Sequence, residues 1–149
     1  MKAVVQRVNW ASVEVDGEIV GEISKGLLVF LGISREFNEN KLDWMINKIL
    51  KLRLWSSDEK GFDLSVEEIE KGGILVISQF TLFGDCSKSN KPNFRNSMEF
   101  EKAEKIYDSF IEKLKRDSSK KIMVETGKFG AKMEVKLEND GPVTIILEK

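Results

Sequence analysis

Histidine is missing from all 149 residues, and cysteine occurs once, at Cys86. Without imidazole the chain has no Ser-His-Asp or Cys-His nucleophilic machinery of its own, and it lacks the commonest ligand of transition metals. A metal site would have to be all carboxylate, and no clustered Asp/Glu spacing suggests one, so neither metal nor cofactor is expected. A single cysteine excludes a disulfide within the chain and fits a reducing compartment. No apolar run approaches the ~20 residues of a membrane span, and polar residues enter the N-terminal stretch too early for a signal-peptide core. Neither sign of charge is in surplus: 24 basic against 25 acidic residues leave a net charge of −1, so no overall field draws the chain to a polyanion. Contact with nucleic acid must then come from a local patch. These absences describe a soluble, cytoplasmic protein with no linker, internal repeat or low-complexity segment. Residues 1–149 are expected to form a single α+β domain.

Apolar and polar residues alternate over Ala3–Val8 and Ala11–Val15, the period of half-buried strands. Asp16-Gly17 supplies a tight hairpin turn into Ile19, Val20 and Ile23. Lys25-Gly26 opens the apolar run Leu27–Leu31, so the first third reads as a β-meander. Asn38 caps a helix whose stripe is Leu42, Met45, Ile46, Ile49 and Leu50. Chain near Leu52–Trp55 turns extended, and a polar loop follows over residues 56–61. Ser65 and Glu68 have capping-box spacing, but Gly72-Gly73 stops anything long. Ser97 is read as the cap of a second helix that buries Phe100, Ala103, Ile106, Tyr107, Phe110, Ile111 and Leu114. Ile122, Val124 and Thr126 suggest a strand ended by Gly127. Strict alternation over Lys132–Glu138, a hairpin turn at Asn139-Asp140-Gly141 and a return through Pro142–Leu147 complete the chain.

The most informative stretch is Ser78-Gln79-Phe80-Thr81-Leu82. It ends the apolar run Ile74–Ile77, which reads as a strand buried on both faces. Three hydrogen-bonding side chains at the end of a core strand need partners or cost stability, which suits a site. A strand whose polar face simply reaches water is the alternative. Residues 84–96 follow without periodicity, as functional loops often do. Within them Lys88, Lys91 and Arg95 interleave with Phe94 and could meet phosphates and a base; a solvated loop is the alternative. Cys86 and Thr81 are the two candidate nucleophiles, and neither has a neighbouring base in sequence. Cations near the C-terminus of the second helix suit its dipole first and RNA contact second. Gly141-Pro142 is either a plain hairpin turn or a rigid dipeptide that presents main-chain carbonyls in fixed directions, able to hold an ammonium group and crowd one face of a chiral carbon.

Two of these motifs together, Ser78–Leu82 and Asn139–Thr144, resemble the two signature motifs of the D-aminoacyl-tRNA deacylases. The resemblance runs through the whole chain, taking in Gln6-Arg7-Val8, Ala11-Ser12-Val13, Gly26–Val29, Asn90-Lys91-Pro92 and Thr126–Ala131. It implies a layered β/β/α fold of two mainly antiparallel or mixed sheets with two main helices on one side. It also implies metal-independent hydrolysis of the ester between a D-amino acid, or glycine, and the terminal ribose of tRNA. Ser78, Gln79, Phe80 and Thr81 are then the catalytic stretch, Phe129, Met133 and Asn139 the substrate and adenosine positions, and Lys88, Lys91 and Arg95 possible tRNA contacts. A homodimer is implied, in which Gly141 and Pro142 of one subunit enter the pocket of the other and reject L-amino acids. Main-chain N–H groups of Phe80 and Thr81, where strand pairing ends, are the candidate oxyanion donors. A non-catalytic RNA-binding module and a Thr81 or Cys86 esterase are the competing readings.

Overall fold

The computed structural model describes residues 1–58 and 61–149; Glu59 and Lys60, in the expected polar loop, lie outside the described residues. The elements are β1 (Lys2–Val15), β2 (Glu18–Ile23), β3 (Gly26–Gly32), α1 (Glu39–Lys51), β4 (Arg53–Trp55), β5 (Leu64–Ser65), β6 (Gly73–Ser78), α2 (Phe100–Asp117), β7 (Met123–Thr126) and β8 (Glu134–Glu148), with a 3₁₀ turn at Phe80–Phe83. Six strands make one mixed sheet in the order β2-β1-β3-β6-β7, with β8 also on β1, and β4-β5 is a separate two-stranded ladder. The large sheet curls until β2 lies against β7: a Cβ on Gly21 would stand 2.5 Å from the Thr126 carbonyl oxygen.

Alternation sorts the buried side chains onto two faces. Leu27, Val29 and Leu31 of β3, with Ile74 and Val76 of β6, pack beneath both helices, where α1 contributes Leu42, Met45, Ile46, Ile49 and Leu50. Leu28, Leu75 and Ile77 point the other way, into the curl of the sheet. The central strands are therefore covered on both sides, as their unbroken apolar composition predicts. Asn38 caps α1 as expected, its side chain accepting from the Lys41 N–H at 3.2 Å.

Glycine is required where β3 meets β6. The two strands are parallel with Gly26 opposite Gly73, and a Cβ on Gly26 would lie 1.9 Å from the Gly73 carbonyl oxygen. Gly26→Ala must force the strands apart, and we expect an unfolding free energy lower by about 3 kcal/mol in urea titration, at the upper end for overpacking. Stability within about 0.5 kcal/mol of the parent, as for an ordinary surface change, would contradict the close approach.

Three sequence expectations are corrected. The first third is not a meander: β1 runs unbroken for 14 residues, and its two halves take different neighbours, Val13 facing Gly21 of β2 and Val5 facing Val29 of β3. Asn139-Asp140-Gly141 is not a hairpin turn. β8 continues through it, because β1 is long enough to pair with both halves, from Lys2↔Glu148 to Glu14↔Glu134. The turn-forming residues instead form a bulge. Finally, α2 begins at Phe100 with Glu99 as its N-cap and no side-chain cap bond, and Phe100 is 60% exposed. Ser97 is held back from capping by the extended backbone around it, which bridges to Ser34 and bonds from the Met98 N–H to the Ile33 carbonyl at 2.9 Å.

Candidate active site

Where β6 ends, the parallel ladder extends one bond further, from the Gln79 N–H to the Leu31 carbonyl at 2.8 Å. The chain then tightens into the 3₁₀ turn, whose first closing bond runs from the Leu82 N–H to the Gln79 carbonyl at 3.3 Å. The N–H groups of Phe80 and Thr81 precede that bond, as first donors of any helical turn do, and no acceptor stands on them among the described residues. Ser97 is instead part of this corner: its buried hydroxyl donates to the Phe80 carbonyl at 3.0 Å.

A cleft of about 470 Å³ opens beside the corner. Ser78, Gln79 and Phe80 line it on the strand side, Met98, Phe100, Ala103 and Tyr107 on the α2 side, and Phe129, Gly130, Ala131 and Met133 on the turn before β8. None of the lining side chains carries a charge. Thr81 is exposed and outside the lining; its hydroxyl accepts from the Gln79 side-chain amide. Tyr107 anchors the floor by donating its hydroxyl to the Val76 carbonyl at 2.8 Å, and burial pushes that phenol above its ordinary range. It therefore stays protonated through the neutral range and serves as a fixed donor. Phe129 stands between two other rings, 5.4 Å from Tyr107 and 5.2 Å from Phe100 by centroids.

The loop over residues 84–96 is organised by its own polar groups. Asp85 and Asn93 exchange backbone bonds of 2.8 and 3.0 Å, and the Asp85 and Asn93 side chains accept from the N–H groups of Ser87 and Arg95. Hydrogen bonds from Ser87 hold the Asp85 carboxyl below its ordinary value. Lys88, Lys91 and Arg95 are exposed and form no ion pair among the described residues. Phe94 packs edge-on against Phe80 at 5.0 Å, which ties this basic loop to the cleft wall. Cys86 is exposed and free. Among the described residues no group of three or more His, Cys, Asp or Glu side chains is placed to hold a metal ion, and no helix is long and apolar enough to cross a membrane.

Gly141 and Pro142 lie elsewhere on the chain. Their peptide bond is cis, both residues are exposed, and neither lines the cleft. They sit in the bulge of β8, between the pairs Gln6↔Thr144 and Val8↔Asn139, where only Arg7 stands opposite. Two side chains clamp this bulge. Asn139 donates to the carbonyls of Arg7 at 3.0 Å and Val143 at 3.1 Å. Arg7 reaches the Asp140 carboxylate at 2.9 Å and the Asp140 carbonyl at 3.3 Å, and its far end donates to the Leu54 carbonyl. The sequence reading assigned Arg7, Ser97, Phe100 and Tyr107 no part in a site. For Arg7 a signal existed, since alternation from Ala3 and Val5 places a cation in an inward phase, where it needs partners.

A family model described as D-Tyr-tRNA(Tyr) deacylase matches residues 4–148. The D-aminoacyl-tRNA deacylase of Thermosipho melanesiensis is 49% identical over 148 residues, covering 99% of this chain and 97% of that protein. The D-aminoacyl-tRNA deacylase of Rippkaea orientalis is 50% identical over 151 residues, with full coverage of both. A solved structure described as c-Myc DNA Unwinding Element Binding Protein superposes with a TM-score of 0.92 at 47% identity, covering 100% of this chain and 99% of its own. A second, described as a probable eukaryotic D-amino acid tRNA deacylase, superposes with a TM-score of 0.81 at 17% identity, covering 98% and 97%, and speaks to the fold alone.

Proposed function

The chain belongs to the D-Tyr-tRNA(Tyr) deacylase family, and from that premise we propose that it is an enzyme hydrolysing the ester between a D-amino acid and the terminal ribose of tRNA. The observation that carries the reading is the uncharged cleft beside the Phe80 and Thr81 N–H groups, on a chain without histidine. An aminoacyl ester is already activated, so orientation and oxyanion stabilisation suffice where no imidazole is at hand. Water adds to the ester carbonyl, the oxyanion rests on the two N–H groups, and the ribose oxygen leaves with a proton relayed by its vicinal hydroxyl. Each donor is worth about 3 kcal/mol. Ser78 and Gln79 form the floor beneath the ester, and Phe129 and Met133 wall the nucleoside side.

Stereochemical control comes from outside the cleft. In this reading the protein is a homodimer in which the exposed Gly141-Pro142 corner of one copy enters the cleft of the other. Its carbonyls hold the α-amino group, and its main chain stands where an L side chain would point. A D side chain points to solvent, and glycine, with nothing to reject, passes; glycyl-tRNA is a second substrate. Asn139 acts here by shaping the corner. Lys88, Lys91 and Arg95 meet tRNA phosphates, the enzyme works in the cytoplasm, and the chemistry needs no metal, so EDTA should leave the rate unchanged.

Incubation with D-tyrosyl-tRNA and L-tyrosyl-tRNA tests the reading. The D-amino acid should be released preferentially; equal release, or none, contradicts it. Thr81→Ala should lose less than about 10-fold in kcat, because the main chain carries the reaction, whereas removing a true nucleophile costs on the order of 10⁶-fold. Loss on that scale with an intact fold, or a trapped acyl-enzyme, would make Thr81 or Cys86 the nucleophile instead.

A further inference from the structure

Two phenylalanines that line the cleft are largely exposed, Phe80 at 58% and Phe100 at 60%, and of the two Phe100 stands on the side away from the strand end. It opens α2 yet is 60% exposed, where a helix start ordinarily presents a polar or charged residue. The ring is nevertheless fixed. It meets Phe129 at 5.2 Å with an interplanar angle of 67°, and it lies over Gly130, where a Cβ would come within 2.7 Å of two of its carbons. Gly130 has φ +71°, a conformation suited to glycine, so the turn leaves room for the ring in two ways. Phe129 in turn packs on Tyr107, which is tied to β6. A rigid series of rings thus runs from the core to the mouth of the cleft and ends in an open aromatic face.

We propose that Phe100 is a further substrate-binding residue, stacking on the nucleobase of the 3′-terminal nucleotide. This rests on the deacylase reading above. A neutral planar ring is the part of an aminoacyl-tRNA end that suits this surface, because no charged side chain lines the cleft and the thioethers of Met98 and Met133 complete the apolar wall. Phosphates would find no counter-charge there, and the ester must sit at the opposite, strand side by Ser78 and Gln79. Proteins that take hold of unpaired nucleotides use exposed rings in this way.

The test compares Phe100→Ala, Phe100→Trp and Gly130→Ala with the parent protein. In steady-state hydrolysis of D-tyrosyl-tRNA, Phe100→Ala should raise KM about 10-fold with kcat nearly unchanged, the loss expected of one base-stacking ring acting on binding alone. Phe100→Trp should restore the parent KM, and Gly130→Ala, which displaces the ring, should resemble Phe100→Ala. Adenosine 5′-monophosphate, titrated by NMR, should shift cleft resonances of the parent and the Trp variant, while ribose 5-phosphate should not. An unchanged KM in Phe100→Ala, or equal AMP binding by the parent and the Ala variant, overturns the role. If the parent protein releases no amino acid at all, the deacylase reading fails, and AMP binding alone then decides whether the ring stacks a base.

Discussion

Arg7→Ala should lower the preference for D- over L-tyrosyl-tRNA by at least about 10-fold, the factor that 1.4 kcal/mol of lost discrimination represents. The reason is mechanical. Arg7 is the only residue facing the β8 bulge in the strand register, and its guanidinium joins Asp140 to Leu54 across it. Its side chain is only 14% exposed, and the Asp140 side chain 32%. Removing the cation leaves a half-buried carboxylate and a carbonyl without their donor, at a cost of about 1–3 kcal/mol. The corner bearing Gly141 and Pro142 then loses its fixed direction. Arg7→Lys should recover part of the stability and little of the selectivity, because an ammonium cannot span two acceptors as a planar fork does. Discrimination unchanged in Arg7→Ala, measured at a temperature where the variant remains folded, would separate the bulge from stereochemical control.

Pro142→Ala should act on selectivity without a comparable stability loss. Pro142 is exposed, and its nitrogen has no hydrogen to donate. The substitution removes the ring and restores a freely turning φ, so the wall proposed to stand against an L side chain becomes smaller and mobile. Hydrolysis of L-tyrosyl-tRNA should rise by about 10-fold or more relative to the D-substrate, again on the scale of 1.4 kcal/mol. Parallel assays of both substrates, with a urea melt, distinguish this outcome from general damage to the corner.

The sequence made the buried strands and α1 legible because their signals are local. Ile74–Ile77 is apolar without interruption, so it fits only a strand covered on both faces, and Asn38 with its apolar stripe fixes the start of α1. What misled depends on distant partners. Asn139-Asp140-Gly141 favours departure from regular extended chain, but whether that departure becomes a hairpin or a bulge is decided by the length of β1, more than a hundred residues away. Ser97 has the composition of a cap, yet its hydroxyl is taken by Phe80, and Phe100 follows helical periodicity while facing a cleft. Phe80 and Thr81 were readable as a strand end; that their N–H groups lack acceptors among the described residues required the 3₁₀ turn.

Gly141 and Pro142 do not line the cleft of their own chain, and the proposed function places them in the cleft of a second copy. Mixing two defective variants tests that placement most directly. Pro142→Ala has an intact cleft and a defective corner; Ala103→Trp has an intact corner and a filled cleft. After joint refolding, mixed dimers contain one site formed by the good cleft of one chain and the good corner of the other. The ratio of D- to L-tyrosyl-tRNA hydrolysis should rise above that of Pro142→Ala alone, although Ala103→Trp alone is inactive. A mixture that behaves as the sum of its separate components would contradict completion of the site across subunits.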